Sequence, residues 1–229
     1  LYEMTLAPSV RISRIRNNEQ TIAIRLATQC RIIAPIPGRG TIGIELPNQK
    51  PSVVSLHSLV NSKIFYESSM ELPCLLGRSV EDHIILHDLA TDNILIAGAI
   101  GQGVKDILNG ILLSLLYKKH PAELKLVLID PIGSSFNVYK NIDKHFLAAY
   151  EDYLDDPIIS SATSCVETLK SLCVEIDTRL NLLRLAAVRN ISEYNQKFIM
   201  RQLNPTYGHK YMPRIVLAIA EYDDYINVA

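Results

Sequence analysis

The stretch that decides the fold is "NILIAGAIGQGVKD", residues 93–106. An apolar strand over 93–99 runs into a glycine-rich turn, and a helix follows. A phosphate-binding loop has a glycine, four further residues, and then Gly-Lys-Ser or Gly-Lys-Thr. Gly98 and Gly103 have this separation, but Val104 and Lys105 stand where lysine and serine or threonine are expected. The pattern leaves two interpretations, a nucleotide site with altered chemistry or a turn that binds nothing.

The segments around this stretch alternate between strands and helices. We expect strands at "HIILHDL" (83–89), "ELKLVLID" (123–130) and "RIVLAIAEYDD" (214–224), and helices over 104–119, 161–186 and 190–201. This order predicts a parallel α/β sheet, in which ligands bind at the carboxyl ends of the strands. Gly98–Gly103, Asp130 and Glu221 all fall at such ends. The apolar residues of the helix predicted over 161–186 are Val166, Leu169, Leu172, Cys173, Ile176, Leu180 and Leu183.

Residues 1–65 predict a separate small α+β unit. We expect extended structure over 1–15, a helix over 18–29 with Asn18 as its cap, and a short helix within 52–66. Strands "RIIAPI" (31–36) and "TIGIEL" (41–46) flank Pro37-Gly38-Arg39-Gly40, which is a strong turn signal.

Composition narrows the class of protein. The chain has 229 residues, is 48% hydrophobic and carries a net charge of -1, which suits one or two domains with a sizeable core. Residues 1–60 hold seven arginines or lysines and three acids, a net +4, which suits either contact with a phosphate backbone or ordinary surface charge. No apolar run approaches the 18 residues of a membrane span, and we expect no signal peptide.

Cysteine and histidine give little sign of a metal site. Four cysteines without a CxxC pair argue against zinc-binding or disulfide-rich folds and favour a reducing compartment. His83 and His87 share one face of a strand, but no third ligand has a motif spacing, so we predict no metal site.

Several blocks, in order along nearly the whole chain, resemble the motor region of FtsK/SpoIIIE-type DNA translocases. They are "LAPSVRISRI", "RIIAPIPGRGTIGIELPNQK", "LLGRS", "LLYKKHPAELKLVLIDP", "VRNISEYNQKF" and "LNPTYGHKYMPRIVL". The resemblance implies an α/β protein with a small α domain at 1–65, followed at 66–229 by a RecA-like P-loop ATPase domain that is incomplete at its C-terminal end. It also implies an ATP-driven ring, a hexamer, that pumps duplex DNA in chromosome partition and cell division. The implied location is the cytoplasm, with any membrane anchor in a full-length relative lying outside this segment.

The resemblance assigns the nucleotide site residue by residue. The loop comprises Gly98, Ala99, Ile100, Gly101, Gln102, Gly103, Val104 and Lys105. Val104 replaces the family's lysine, Lys105 its serine or threonine, and Ala220 its metal-binding aspartate, while Glu221 keeps the acid that activates water. The family's "DPKK" is "DPIG" at 130–133, and its later sensor segment and arginine finger lie beyond residue 229.

These substitutions remove side chains that act in catalysis and keep the glycines that shape the backbone of the loop. Three glycines still allow N–H groups to converge on an anion at a helix N-terminus. The lost lysine would contact the β- and γ-phosphates, and the lost hydroxyl and aspartate would hold Mg²⁺. Lys105 is rotated by about 100° from its neighbour on the helix, although its long side chain could still extend toward a phosphate. We therefore expect ATP to bind weakly or without hydrolysis, and Mg²⁺ not to be held.

Other residues keep two interpretations each. Glu221 is either the catalytic acid or a solvated strand-end acid, and Asp130 either caps a turn or takes part in catalysis. Arg189 and Asn190 lie at an interface or near DNA, or Asn190 caps the next helix. Tyr139, Phe146 and Tyr150 are expected in the core or an interface rather than as base-stacking platforms.

Three functions remain open on the sequence. The first is a translocase motor homologue with an impaired nucleotide site, assembling as a homo- or hetero-oligomer on duplex DNA. The second is a non-enzymatic scaffold on the same fold, without nucleotide or DNA. The third is an active motor that relies on Lys105 in a shifted loop.

Overall fold

The computed structural model describes residues 1–50, 52–79, 81–99, 101–148 and 156–222. These residues divide into two units, one formed by Leu1–Ser62 with Gly77–Ile85, the other by Lys63–Leu76 with the chain from Leu86 onward.

The first unit contains an antiparallel sheet of three short strands. They are β1 (Tyr2–Met4), β2 (Arg31–Ile33) and β3 (Ile42–Glu45), in the order β1-β3-β2. Helices α1 (Ile12–Arg16), α2 (Glu19–Leu26) and α3 (Leu56–Val60) complete the unit. Leu6, Ile15 and Ile22 pack on its buried cluster of Ile32, Ala34 and Ile42.

The turn predicted at 37–40 is formed. Ile36 N–H donates to the carbonyl of Thr41 and Arg39 N–H donates to that of Ile36. Gly38 has a φ of +76°, a conformation that glycine adopts at little cost. The extended structure predicted over 1–15 is wrong beyond β1, because residues 12–16 form α1. Asn18 does precede α2, but its side chain donates to the carbonyl of Arg14 instead of capping the helix.

The second unit is built on a parallel sheet. Its strands are β6 (Leu124–Ile129), β7 (Ile158–Ile159) and β8 (Arg214–Ile219), in the order β7-β6-β8. Strands β4 (Pro73–Arg78) and β5 (Ile84–Asp88) pair with each other, and their residues 73–76 and 86–88 belong to this unit. The helices are α4 (Lys63–Tyr66), α5 (Val104–Lys118), α6 (Ala162–Leu185) and α7 (Ile191–Ile199), with 3₁₀ turns at Asn137–Ile142 and Pro205–Tyr207.

Alternate residues of β6 face two different cores. Leu124, Leu126 and Leu128 pack in one cluster with Ile111, Leu112 and Leu115 of α5. Val127 and Ile129 pack in another with Cys165 of α6. A strand buried on both faces explains the continuous apolar run of the sequence, and the predicted parallel α/β fold is confirmed.

The strand predicted over 93–99 is the main error in this unit. These seven residues belong to none of the three sheets, although Ile94 and Ile96 pack against the core cluster of α5. Leu95, between them, is 83% exposed. Only one face of the segment is therefore covered, and packing of one face does not require the backbone pairing that defines a strand.

Predicted helices agree well with those observed. α5, α6 and α7 lie within the expected ranges 104–119, 161–186 and 190–201. Ser161 and Asn190 accept hydrogen bonds from the N–H groups of Ser164 and Glu193, so side chains cap α6 and α7. The strand β7, which is only two residues long, was not predicted from the sequence.

Candidate functional site

The candidate site lies where the glycine loop, the turn after β6 and the end of β8 meet within the second unit. Gly101 and Gly103 both have a φ of +80°, and Gly103 is the residue before α5. Gln102 N–H donates to the carbonyl of Ala99, which closes the turn. The loop therefore has the left-handed backbone that its glycines permit, and the first-turn N–H groups of a 15-residue helix follow it. Ile100 lies outside the described residues.

The side chain of Val104 packs against the first glycine of the loop. A Cβ placed on Gly98 would lie 2.8 Å from Cγ2 of Val104, so the valine side chain packs directly against this glycine. Val104 is half-buried and offers no charge and no hydrogen-bond donor from its side chain. The position that a phosphate-binding lysine would take is thus filled by an apolar contact.

Lys105 reaches across the site to the opposite strand ends. Its Nζ lies 3.2 Å from Oε1 of Glu221 and donates to Oγ of Ser134 at 2.7 Å. Both charged side chains are about half exposed, so the pair contributes at most about 1 kcal/mol to stability. The ammonium group of Lys105, which the sequence predicts to contact the nucleotide, is thus paired with the candidate catalytic acid.

Glu221 combines this ion pair with an unusual backbone. Its φ is +51°, in the left-handed region that non-glycine residues adopt infrequently. Such outliers cluster at functional sites. The structure places Glu221 beside Lys105 of the loop, and its role as the catalytic acid stays a prediction.

Ala220, just before Glu221, is part of the core. It is 4% exposed, packs in the cluster of α5, and its N–H donates to the carbonyl of Ile129 at 2.9 Å. Ala220, Val104 and Lys105 supply no side-chain oxygen that could bind Mg²⁺. The three positions at which the resemblance changes the family's pattern therefore cannot hold the ion.

Asp130 caps the turn after β6, which is one of the two roles that the sequence allowed. It is fully buried, and its carboxylate accepts backbone hydrogen bonds from Gly133, Ser135 and Phe136 at 2.7–3.0 Å. These bonds shape the turn that presents Ser134 to Lys105. Ser134 was missed from the sequence, because a serine within "GSSF" carries no motif spacing.

Asn109 joins the loop to the core. Its Nδ2 donates to the carbonyl of Lys105, and its Oδ1 accepts from the hydroxyl of Tyr139. Tyr139 is buried, and burial raises the pKa of its phenol to about 12. Tyr139 and Phe146 pack on the core cluster as predicted, whereas Tyr150 lies outside the described residues.

An acid stands beside the anion-binding groups. Asp106 lies in the first turn of α5, and one of its carboxylate oxygens is 3.6 Å from where a Cβ on Gly103 would be. A carboxylate there stabilises the helix dipole and competes with an incoming phosphate. The electrostatics at the loop are therefore less favourable to an anion than the backbone alone would be.

The remaining candidates fall elsewhere. Asn190 caps α7, and Glu193 accepts in return from the N–H of Arg189 at 3.1 Å, which forms a capping arrangement. His87 lies in β5 and His83 just before it. Within the described ranges, no three histidine, cysteine, aspartate or glutamate residues are grouped to hold a metal. Across the same residues, no helix has the length and apolar character that crossing a membrane requires.

Comparison with known proteins places the two parts of the chain. Residues 55–216 match the FtsK/SpoIIIE family and residues 1–48 match the FtsK alpha domain. The DNA translocase FtsK of Chlorobaculum tepidum is 42% identical over 201 residues, which is 86% of this chain and 25% of that protein. The DNA translocase FtsK of Treponema pallidum is 34% identical over 98% of this chain and 27% of its own length. The chain thus spans about a quarter of these relatives.

Two solved structures share the fold. One is the pCW3 conjugation coupling protein TcpA, as a monomer with ATPγS, with a TM-score of 0.54 at 22% identity over 95% of this chain and 54% of its own. The other is the cytoplasmic domain of the Type VII secretion ATPase EccC of Thermomonospora curvata. It has a TM-score of 0.56 at 18% identity over 77% of this chain and 22% of its own.

Proposed function

This chain belongs to the FtsK/SpoIIIE family, and we propose that it is a DNA-translocase motor module whose nucleotide site binds ATP weakly without hydrolysing it at a motor's rate. We infer residues 1–65 to be its α domain and residues 66–229 its RecA-like ATPase domain. By family, the module assembles as a ring on duplex DNA and acts in the cytoplasm in chromosome partition and cell division.

The observation that carries the proposal is the contact of Lys105 with Glu221. For hydrolysis, a carboxylate must be oriented toward an attacking water, and cations must neutralise the charge that develops on the phosphate. Here the ammonium and the carboxylate lie 3.2 Å apart and satisfy each other. An incoming phosphate that recruits Lys105 would have to separate it from Glu221 and Ser134 first.

The substitutions at Val104 and Ala220 weaken the same reaction independently. Val104 packs on Gly98 and supplies no donor, and Ala220 supplies no metal ligand. Removing one stabilising group from a transition state typically lowers the rate by about 10²–10³. Several such losses support a turnover far below that of an ordinary enzyme.

The backbone supports retained anion binding. Gly101 and Gly103 keep the left-handed conformation and α5 begins directly after them. Gly98, Ala99, Ile100 and Gln102 complete the proposed phosphate loop with these glycines, Val104 and Lys105. Asp106 opposes the anion, which supports weak rather than tight binding.

The proposed contact with duplex DNA rests on the family and on charge. The exposed arginines of the first unit include Arg11, Arg14, Arg25 and Arg31. Exposed cations of this kind neutralise phosphates, and their contribution to affinity falls steeply with salt.

Titration calorimetry tests the nucleotide site. ATP is titrated into the chain and into a Val104→Lys/Lys105→Ser/Ala220→Asp variant, each with and without Mg²⁺. We expect weak binding to the natural chain that Mg²⁺ does not strengthen, and tighter Mg²⁺-dependent binding to the variant. A Val104→Lys/Lys105→Ser variant, which leaves the buried Ala220 intact, separates loss of folding from loss of binding. Binding to the natural chain that Mg²⁺ strengthens tenfold or more would contradict the proposal.

A further inference from the structure

The loop keeps the groups that bind some phosphates of a nucleotide and lacks those that bind others. In a phosphate loop, backbone N–H groups contact the α- and β-phosphates, the lysine reaches the β- and γ-phosphates, and the hydroxyl holds Mg²⁺. The backbone part is present, because Gly101 and Gly103 are left-handed and α5 begins directly after them. The lysine position is Val104, whose side chain packs against Gly98. The contacts that remain are therefore those of a diphosphate.

The side chains around the loop carry more negative than positive charge. The carboxylate of Glu221 lies 3.2 Å from Nζ of Lys105, on the side of the strand ends. The carboxylate of Asp106 lies in the first turn of α5, beside Gly103. Lys105 thus supplies one positive charge against two negative charges. A nucleotide with one more phosphate brings additional negative charge to a site that is not positive.

The contacts of Lys105 hold it away from a ligand at the loop. Its ammonium group donates to Oγ of Ser134 as well as pairing with Glu221. Its backbone carbonyl accepts from Nδ2 of Asn109, whose Oδ1 accepts from the buried hydroxyl of Tyr139. If Lys105 turned toward a γ-phosphate, it would leave the carboxylate of Glu221 unpaired beside that phosphate.

We propose that this site selects a nucleoside diphosphate over the corresponding triphosphate. The inference rests on the proposed function, because it states which nucleotide the weak site binds best. The glycine turn and the N-terminus of α5 bind the β-phosphate while the pair of Lys105 and Glu221 stays closed. The γ-phosphate of ATP finds no lysine at position 104 and is repelled by the carboxylate of Glu221.

The expected preference is modest. The side chains of Lys105 and Glu221 are about half exposed, so water screens the charges strongly. One like charge about 4 Å away in water lowers affinity about fivefold, which is the preference for ADP that we expect. The preference should shrink in about 1 M salt, where the screening length falls to about 3 Å.

Titration calorimetry with AMP, ADP and ATP in the presence of EDTA tests the selectivity. We expect ADP to bind most tightly, ATP about fivefold more weakly, and AMP more weakly than ADP because it lacks the β-phosphate. ATP that binds as tightly as ADP overturns the selectivity, while the proposed weak and non-hydrolysing site still stands. AMP that binds as tightly as ADP overturns the assignment of the β-phosphate to the loop. If none of the three binds at millimolar concentration, the proposed function fails with the inference.

Two variants test the part played by the ion pair. Glu221→Gln removes the repelling charge and frees Lys105 at nearly constant side-chain size, so the affinity ratio of ADP to ATP should fall to about one or below. Lys105→Met leaves Glu221 unpaired, so the same ratio should rise by about fivefold. Thermal melts show whether each variant is folded. An unchanged ratio in either folded variant overturns the proposal.

Glu67→Gln is the matched control, because it removes the same charge far from the loop. Glu67 follows α4, and the neighbouring carbonyl of Tyr66 accepts from Nζ of Lys118 at the other end of α5. That end is about 21 Å from the loop at 1.5 Å per residue, which is beyond the screening length of about 10 Å in 0.1 M salt. We expect this variant to keep the ratio of the natural chain. A shift equal to that of Glu221→Gln would show an effect of net charge and overturn the proposal.

Discussion

Replacing Ala220 by aspartate should destabilise the protein in a pH-dependent manner. Ala220 is 4% exposed and lies in the main core cluster, so the new carboxyl group would be buried without a partner designed for it. Burial disfavours the charged form of an acid and raises its pKa by up to about 3–5 units. The family's metal-binding aspartate is thus a costly residue at this position unless a cation accompanies it.

The magnitude follows from linkage between protonation and folding. The unfolded carboxyl group has a pKa of about 3.9, and each unit by which folding raises it costs about 1.36 kcal/mol above that pH. At pH 7 the ionisation part of the loss therefore cannot exceed about 4 kcal/mol, because the buried group would protonate instead. Since the folded pKa is raised, the loss is absent below about pH 4 and grows as the pH rises.

Urea unfolding at pH 5 and pH 8 measures this loss. Ala220→Asn is the matched control, because it adds nearly the same volume without a titratable charge. We expect the aspartate variant to lose about 2–4 kcal/mol more than the asparagine variant at pH 8, and about 1–2 kcal/mol more at pH 5. Equal stability of the two variants at both pH values would refute the reasoning that this position is buried and lacks a cation.

Three further predictions concern single groups. Lys105→Met should change the free energy of unfolding by less than about 1 kcal/mol, measured in urea, because its pair with Glu221 is half exposed. A loss of 3 kcal/mol would show a stronger pair. Asn190→Ala should cost about 1 kcal/mol by removing the cap of α7, and no change in the thermal midpoint would contradict the capping role. Burial raises the pKa of the Cys74 thiol to about 12. A thiol reagent at pH 8 should therefore label the exposed Cys173 well before Cys74, and equal labelling rates would be inconsistent with this burial. Because the folded pKa of Cys74 is raised, its contribution to stability should be full below about pH 8.5 and fall as the pH rises toward 12.

The sequence predicts much of the fold, because its local patterns agree with the packing. β6 is a continuous apolar run and is buried on both faces, and α5 begins directly after Gly103. The strand predicted over 93–99 is wrong because periodicity reports which side chains are buried, not which backbone groups pair. The strand β7 could not be predicted because two residues are too short to show a period.

The candidate site is predictable in position but not in its contacts. Asp130 and Glu221 follow the ends of β6 and β8 as the sequence predicts, whereas Gly98 ends a segment that the sequence wrongly predicts to be a strand. The turn that brings Ser134 to Lys105 depends on hydrogen bonds within the folded backbone, which no sequence pattern encodes. The same holds for α6, where helical spacing predicts one apolar face and the structure divides it into a buried side and an exposed stripe.

ATP turnover in the presence of duplex DNA tests the central claim most directly. The natural chain, at a concentration that allows assembly and with saturating Mg²⁺ and ATP, is assayed for released phosphate beside a Glu221→Gln variant. We expect no turnover above that of the variant, since Lys105 pairs with Glu221 and the Mg²⁺ ligands are replaced. A DNA-stimulated rate of about 1 s⁻¹ or more, abolished by Glu221→Gln, would contradict the account and show an active motor.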